Sequence, residues 1–306
     1  MKSKRSSARQ RAGAVASPFL AMAVAFTSFG LASGIAIAQH SQTSVKEFED
    51  FDSKNFDRST HIDNEWFPLK PGTRWVYEGF TFEDGKRLPH RLVSTVTDLT
   101  KVIGGVRTVV GYDLDYSAGQ LAEKEIIFFA QDNDGTVWLL GEYPEVYENG
   151  KFVESPTWIH GIQDAKAGIV MKAEPRLGTP SYSEGLALAV KWTDRAQVYQ
   201  VGQKTCVPLK CYEDVLVIDG TSRGEPGAHH LKYYARGVGN VRVGWGGKGD
   251  KTKETLELVR VEQLGPAALA EVRAEALKLE KRAYKISKNV YAHTPPAEHT
   301  PVAIGQ

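Results

Sequence analysis

VRTVVGYDLDYSAGQLAEKEIIFFAQDNDGTVWLLGEY, residues 106–143, sets the fold class. The runs VRTVVGYDLDY and QLAEKEIIFFAQ are rich in β-branched and aromatic residues, and the turn DNDG (132–135) separates the second from TVWLLGEY. Such runs, bounded by Gly, Asn and Asp, read as strands. The texture extends both ways. Upstream, Gly104-Gly105 splits off RLVSTVTDL, and EDGKR (83–87) is an Asp-Gly turn. TRWVYEGF (73–80) alternates, with Trp75, Tyr77 and Gly79 on one face and Val76 and Glu78 on the other. Downstream, VYENGKFV is a hairpin around Asn149-Gly150, a type I′ signal. A Pro/Gly-rich loop (154–185) follows. Strands then return in LALAVKWTD, AQVYQVGQKT, CYEDVLVID, HHLKYYARG, GNVRVGW and KETLELVRVEQL. About a dozen short strands at meander spacing predict a mainly β protein, built as a single large curved antiparallel sheet or half-barrel.

One amphipathic helix is expected at the C-terminal end, over 266–288. Gly265-Pro266 puts proline at the first helical position. Leu269, Val272, Ala276, Leu279, Ala283 and Ile286 recur at three- and four-residue steps and form one stripe. Acids lie toward its start and bases toward its end, which suits the helix dipole. The concave or open face of the sheet is the expected partner of the stripe. Residues 39–60 read as a flexible, acidic lead-in, residues 61–288 as one domain, and the Pro-rich 289–306 as a disordered tail.

The amino terminus sets the address. Lys2, Lys4, Arg5, Arg9 and Arg11 precede a small-residue, apolar run that ends in Ala36-Ile37-Ala38. This is the pattern of a Sec-type signal peptide over 1–38, with cleavage before Gln39 and a periplasmic or secreted destination. An uncleaved anchor is the alternative reading, weakened by Ser17, Pro18, Thr27, Ser28 and Ser33. After cleavage no span remains. Losing five bases from 38 Lys+Arg leaves 33 against 37 Asp+Glu, a net charge of −4. That charge disfavours nucleic acid, whose binding rests on neutralising phosphates. Export fits the two cysteines as well. If Pro208-Leu209 is a two-residue turn, Cys206 faces Cys211 across a hairpin, within disulfide reach.

Four segments carry a resemblance: WFPLKPGTRWVYEG (66–79), FFAQDNDGTVWLLGE (128–142), AKAGIVMKAEP (165–175), and VPLKCYEDVLV (207–217) with KYYARGVGNV (232–241). Together they resemble an uncharacterised family of secreted bacterial β-rich proteins over most of residues 60–245. More distantly, the chain is similar to the curved-sheet fold of lipoprotein-localisation factors, a single antiparallel sheet clasped by helix. The resemblance implies a fold and an exported location, and no catalytic residues. The family pattern lacks cysteines at the VPLK turn, so Cys206 and Cys211 are a local elaboration.

Catalytic motifs are absent: no G-x-S-x-G, H-E-x-x-H, Walker loop or G-x-G-x-x-G before a helix. The glycine-rich 244–250 segment lies between strands and lacks the helix N-terminus a phosphate needs. Asp132, Asn133 and Asp134 begin like a calcium loop, but Tyr143 stands where the closing glutamate belongs. His61, His90, His160, His229 and His230 remain, with Glu125, Glu142 and Asp164 as acidic partners. A metal-binding protein or metal-dependent enzyme would use His160, Asp164 and His230, from the 154–185 loop and the 229–236 strand. The reading favoured by an exported, aromatic-rich sheet without a catalytic motif is a non-catalytic binding protein that needs no cofactor. Its ligand would be a lipid or other apolar or amphipathic small molecule, lined by Trp75, Tyr77, Phe128, Trp138, Trp158, Tyr233 and Tyr234. An envelope protein docking on the helix is a further possible partner.

Overall fold

The computed structural model describes residues 45–300. The expected signal peptide, its cleavage point and the last six residues lie outside the described residues. After a short 3-10 turn at Ser53–Asn55, six strands run in sequence: β1 (Thr73–Glu83), β2 (Lys86–Ile103), β3 (Val106–Ser117), β4 (Gln120–Gln131), β5 (Val137–Glu148) and β6 (Lys151–Glu154). A connection follows with three short strands, β7 (Trp158–Ile159), β8 (Gly168–Met171) and β9 (Tyr182–Ser183). Five more complete the meander: β10 (Arg195–Cys206), β11 (Cys211–Thr221), β12 (His229–Ala235), β13 (Gly239–Gly246) and β14 (Thr255–Gln263). Helix α1 (Pro266–Ile286) and the short strand β15 (Glu298–His299) close the chain.

The fold is mainly β: one large antiparallel sheet, not closed into a barrel, with a single C-terminal helix. Its strand order is β6-β5-β4-β3-β2-β1-β14-β13-β12-β11-β10-β9. The two halves of the meander therefore meet where β1 pairs with β14, and both outer edges belong to the middle of the chain. The connection must travel from one edge to the other. On the way it pairs β7 and β8 with β5, and β9 with β10. Gly168 and Gly185 let the two legs touch: a Cβ on Gly168 would stand 2.0 Å from the Gly185 nitrogen. The sheet curls, because one buried cluster joins Val109 of β3 and Val137 of β5 to Val198 of β10 and Val217 of β11.

The hairpins follow their turn residues. Asn149 and Gly150 have φ of 51° and 71°, as a type I′ turn requires. Cys206 and Cys211 pair across the Pro208-Leu209 turn and form a disulfide, with Cα atoms 3.9 Å apart.

Three expectations are corrected. First, α1 packs on the face opposite the concave one. Leu279 and Ala283 join Val110, Tyr112, Ile126 and Phe128, whereas Val109, Gly111, Glu125 and Ile127 point inward. Side chains alternate along a strand, so these two sets lie on opposite faces. The stripe is buried from Leu269 to Ala283, but Ile286 is exposed. Second, residues 289–300 are packed rather than loose. Tyr291 is fully buried, and Glu298 and His299 pair with Thr100 and Leu99 of β2. Two apolar anchors, Val290 and Tyr291, outweigh the polar, Pro-rich composition. Third, the described part of the lead-in is anchored too. Phe51 lies edge-on to Trp138 at 5.4 Å, and the Ser59 hydroxyl donates to the Arg107 carbonyl at 2.7 Å. Among the described residues no helix is long and apolar enough to cross a membrane.

Candidate functional site

Beneath the connection the concave face encloses a cavity of about 300 Å3. Its character changes along the strands. At one end Val109 stands opposite Phe129, with Val96 of β2 beside Gly111. Phe67 and Leu69 cover this apolar end, Phe67 lying edge-on to Phe129 at 5.6 Å and to Tyr234 at 6.2 Å. Val170 and Trp192 add apolar surface from the connection.

Four residues along β3 the lining turns acidic. Asp113 lies directly opposite Glu125, and the next inward pair is Asp115 opposite Glu123. Like charges facing each other across a sheet are destabilising. Glu142 of β5 joins them by a backbone irregularity. Leu139 points inward and Leu140 toward the helix, so strict alternation would turn Glu142 toward the helix as well. The register shifts between Phe128, which pairs with Gly141, and Phe129, which pairs with Leu139, so Leu140 is the extra residue, and Gly141 next to it has φ of 143°. A bulge of this kind re-aims the side chains beyond it. Glu142 therefore enters the cavity, 8% exposed, while Tyr143 meets the helix layer.

Burial pushes the Asp113 carboxyl up to about 7. Burial and the neighbouring aspartates push Glu123 up to about 7. Burial and the Glu123 charge push Glu142 up to about 8, and Glu125 is raised well above the usual carboxylate range by burial and by Glu142. Trp158 opposes the shift at Glu142, yet its indole N–H makes no hydrogen bond among the described residues. Asp113 Oδ1 is likewise buried without a partner. Glu184 and Asp194 from the connection also face the cavity, as does Lys232 of β12. Lys232 stands 3.5 Å from Glu184, whose charge raises the lysine.

The aromatic residues named from the sequence separate. Tyr77 and Tyr234 line the cavity. Trp75 is buried in the same core, its indole N–H donating to the Val238 carbonyl at 2.8 Å, and Tyr233 packs at that core's margin. Phe128 and Trp138 lie in the helix layer, and Trp158 stacks on Trp192 at 5.7 Å behind the connection. These five do not line the cavity. The sequence reading also passed over Phe67, Asp113, Phe129, Glu184, Trp192 and Lys232. A signal was available for the acids: Asp113-x-Asp115 and Glu123-x-Glu125 alternate within strands whose inward positions are otherwise apolar.

The histidines do not converge. His160 accepts from the Ala167 N–H at 3.0 Å and stacks on Phe51 at 4.4 Å. His230 lies 3.2 Å from Glu225, and His229 lies 2.8 Å from Asp219. His90 sits between Asp115 at 2.8 Å and Glu254 at 3.3 Å. The structure does not bring His160, Asp164 and His230 to one point. Among the described residues no group of three or more His, Cys, Asp or Glu side chains could hold a metal ion. Asp132, at the head of the calcium-like turn, caps its own backbone: it accepts from Thr136 N at 2.8 Å and from the Trp138 indole at 2.8 Å.

No family model and no curated protein matches the chain. Two solved structures are similar to it in part. One is a "putative exported protein with YmcC-like fold" from Bacteroides fragilis, with 12% identity and a TM-score of 0.34, covering 65% of this chain and 99% of that one. The other is a "putative lipoprotein" from Parabacteroides distasonis, with 14% identity and a TM-score of 0.35, covering 65% of this chain and 100% of that one. Likenesses this slight carry no argument about the site.

Proposed function

We propose that the protein is an exported, non-catalytic carrier, holding an apolar or amphipathic small molecule between the curled sheet and the connection that crosses it. The cavity carries this reading. Its volume of about 300 Å3 lies at the small end of ligand sites, which run from roughly 300 to 1,000 Å3 and are mostly apolar with a few polar groups. Two features support export to a periplasmic or secreted location. One is the basic, apolar, A-x-A amino-terminal sequence. The other is the Cys206–Cys211 disulfide, which suits an oxidising compartment. Among the described residues each of the histidines named above is taken up locally.

Native mass spectrometry of protein purified from its own envelope tests the reading, together with binding of the fluorophore N-phenylnaphthylamine. A retained apolar molecule and saturable probe binding are expected. A Cβ on Gly111 would point at Phe129, 3.3 Å away, and at Ile127, so Gly111→Leu is expected to fill the space and abolish both signals. Repeated preparations that carry no molecule and bind no probe would refute the carrier.

A further inference from the structure

We propose that the cavity selects an amphiphile whose polar end is a protonated amine, seated against Asp113, Glu125 and Glu142. This rests on the carrier reading and adds the chemical class of the ligand.

The first ground is geometric. Polarity changes in one direction along the strands, from Val109–Phe129 to Asp113–Glu125, with Gly111–Ile127 between. Along β3 and β4 a molecule meets hydrocarbon at one end and carboxyl groups at the other, with Leu92 and Leu256 adding apolar surface beside the carboxyls. The second ground is the absence of compensation. Two acidic cross-strand pairs occur in succession, and no base on β2 to β5 lies between them. Lys124 points to the other face, 3.6 Å from Glu145. Lys232, the cation in the lining, is engaged by Glu184, with Asp194 nearby. His90 from β2 is held by Asp115 and by Glu254 ahead of β14, and His230 by Glu225. Among the described residues Asp113, Glu123, Glu125 and Glu142 make no ion pair with a base. The third ground is burial. Glu142 is 8% exposed and faces the cavity, and Asp113 Oδ1 is enclosed with no partner. Such groups are stabilised by whatever donor the ligand supplies.

The alternatives fit less well. A metal ion would need converging oxygen ligands and would leave the apolar end unused. An anionic headgroup would be repelled. A neutral hydroxyl would accept from protonated carboxyls but gain no charge–charge attraction. An ammonium group favours the ionised carboxylates next to it, so a carboxyl that held a proton in the empty cavity releases it on binding. In balance, the amine arrives as its cation, a proton leaves to solvent, and a carboxylate–ammonium contact forms.

The test compares three amphiphiles of one chain length, decylamine, decanol and decanoate, as competitors of N-phenylnaphthylamine on the purified protein. Near pH 8, decylamine is expected to bind at least about tenfold more tightly than decanol, and this preference shrinks on moving to pH 6, where the cluster holds its protons more firmly. Decanoate is expected to be the weakest. Calorimetry near pH 7 in two buffers of different ionisation enthalpy should show proton release with decylamine alone. The double variant Asp113→Asn/Glu142→Gln keeps the shape of the neutral carboxyls. It should cut the preference for decylamine over decanol to about threefold or less. If decanol or decanoate equals decylamine, the amine proposal falls and the carrier stands. If none of the three displaces the probe and no probe binds, the carrier itself falls.

Discussion

A single extra residue determines whether one of the cavity's acids belongs to the site. Without the bulge at Leu140-Gly141, Glu142 would follow the parity of Leu140 into the helix layer and Tyr143 would turn into the cavity. This explains why the sequence reading found Glu125 and Glu142 only as partners for a histidine. Their types were visible, but the inward face of β5 depends on a one-residue irregularity that alternation cannot reveal. The same parity argument misled the aromatic choice: Phe128 and Phe129 are adjacent, and only Phe129 faces the cavity. The burial of Glu142 has a measurable consequence. Its folded pKa lies near 8 because burial disfavours the charge, so the native protein holds a proton that the unfolded chain releases above its ordinary range. Stability attached to that proton is complete at low pH and is lost as pH rises toward 8. Glu142→Gln keeps the shape of the neutral form and removes the titration. Urea unfolding should show the variant more stable than the parent near pH 8 by about 1 kcal/mol or more, with the difference close to zero near pH 5. An equal shift at both values would mean that Glu142 does not titrate in this window.

At the scale of elements, the strands and the helix were legible because their signals are local: alternation, Asp-Gly and Asn-Gly turns, a proline at the helix start. Where α1 docks was not. An apolar stripe says that a helix needs a surface, not which surface. The deciding contact is a buried ion pair. Lys101 of β2 is fully buried and lies 2.8 Å from Glu280, which sits within the helix stripe. Lys101 also donates to the Tyr284 hydroxyl at 3.0 Å and to the Pro295 carbonyl. Glu280 accepts from Ala297 N at 2.9 Å and from the Tyr291 hydroxyl at 3.2 Å. One pair thus joins sheet, helix and the residues after it, adding to the Val290 and Tyr291 anchors of the Pro-rich segment. Removing one partner of such a pair leaves a buried charge, at a cost of about 3–5 kcal/mol. Lys101→Met should lose about that much in urea unfolding, and Lys101→Met with Glu280→Leu should recover most of it. If the single and double variants are equally unstable, packing rather than charge pairing holds the helix.

At the scale of the whole molecule, the meander could be read but its closure could not. The pairing of β1 with β14 joins residues such as Thr73 and Gln263, and nothing local in either strand names the other. That pairing sends the middle of the chain to both edges and forces the connection across the concave face, so the cavity follows from topology rather than from any motif. The interior it creates gathers buried Glu142 and Glu184 with half-buried Asp113, Glu123, Glu125 and Glu254, and the pH dependence of the whole protein should show it. Asp113 and Glu123 are raised to about 7 and Glu142 to about 8, chiefly by burial; burial also raises Glu125, Glu184 and Glu254. His90 is raised as well, because the pull of Asp115 and Glu254 outweighs its burial. For all of these the stability is whole below the unfolded pKa and is lost as pH climbs through the folded one. They interact, so the loss should appear as one broad decline from about pH 5 to beyond pH 8 rather than as separate steps. Glu145 runs the other way. Burial raises it, but the Arg282 guanidinium and the Tyr147 and Tyr143 hydroxyls together hold it below its usual value, so its contribution is lost only as pH falls below its ordinary range. The optimum should therefore sit near pH 5, with the alkaline side falling by about 1.4 kcal/mol per pH unit for each proton held only in the native state. Urea midpoints measured across this range, without ligand, give the slope directly. A stability that is flat or rising between pH 5 and 8 would mean that the carboxyls are already ionised in the folded protein, and the cavity would then be a charged site rather than a proton-bearing one.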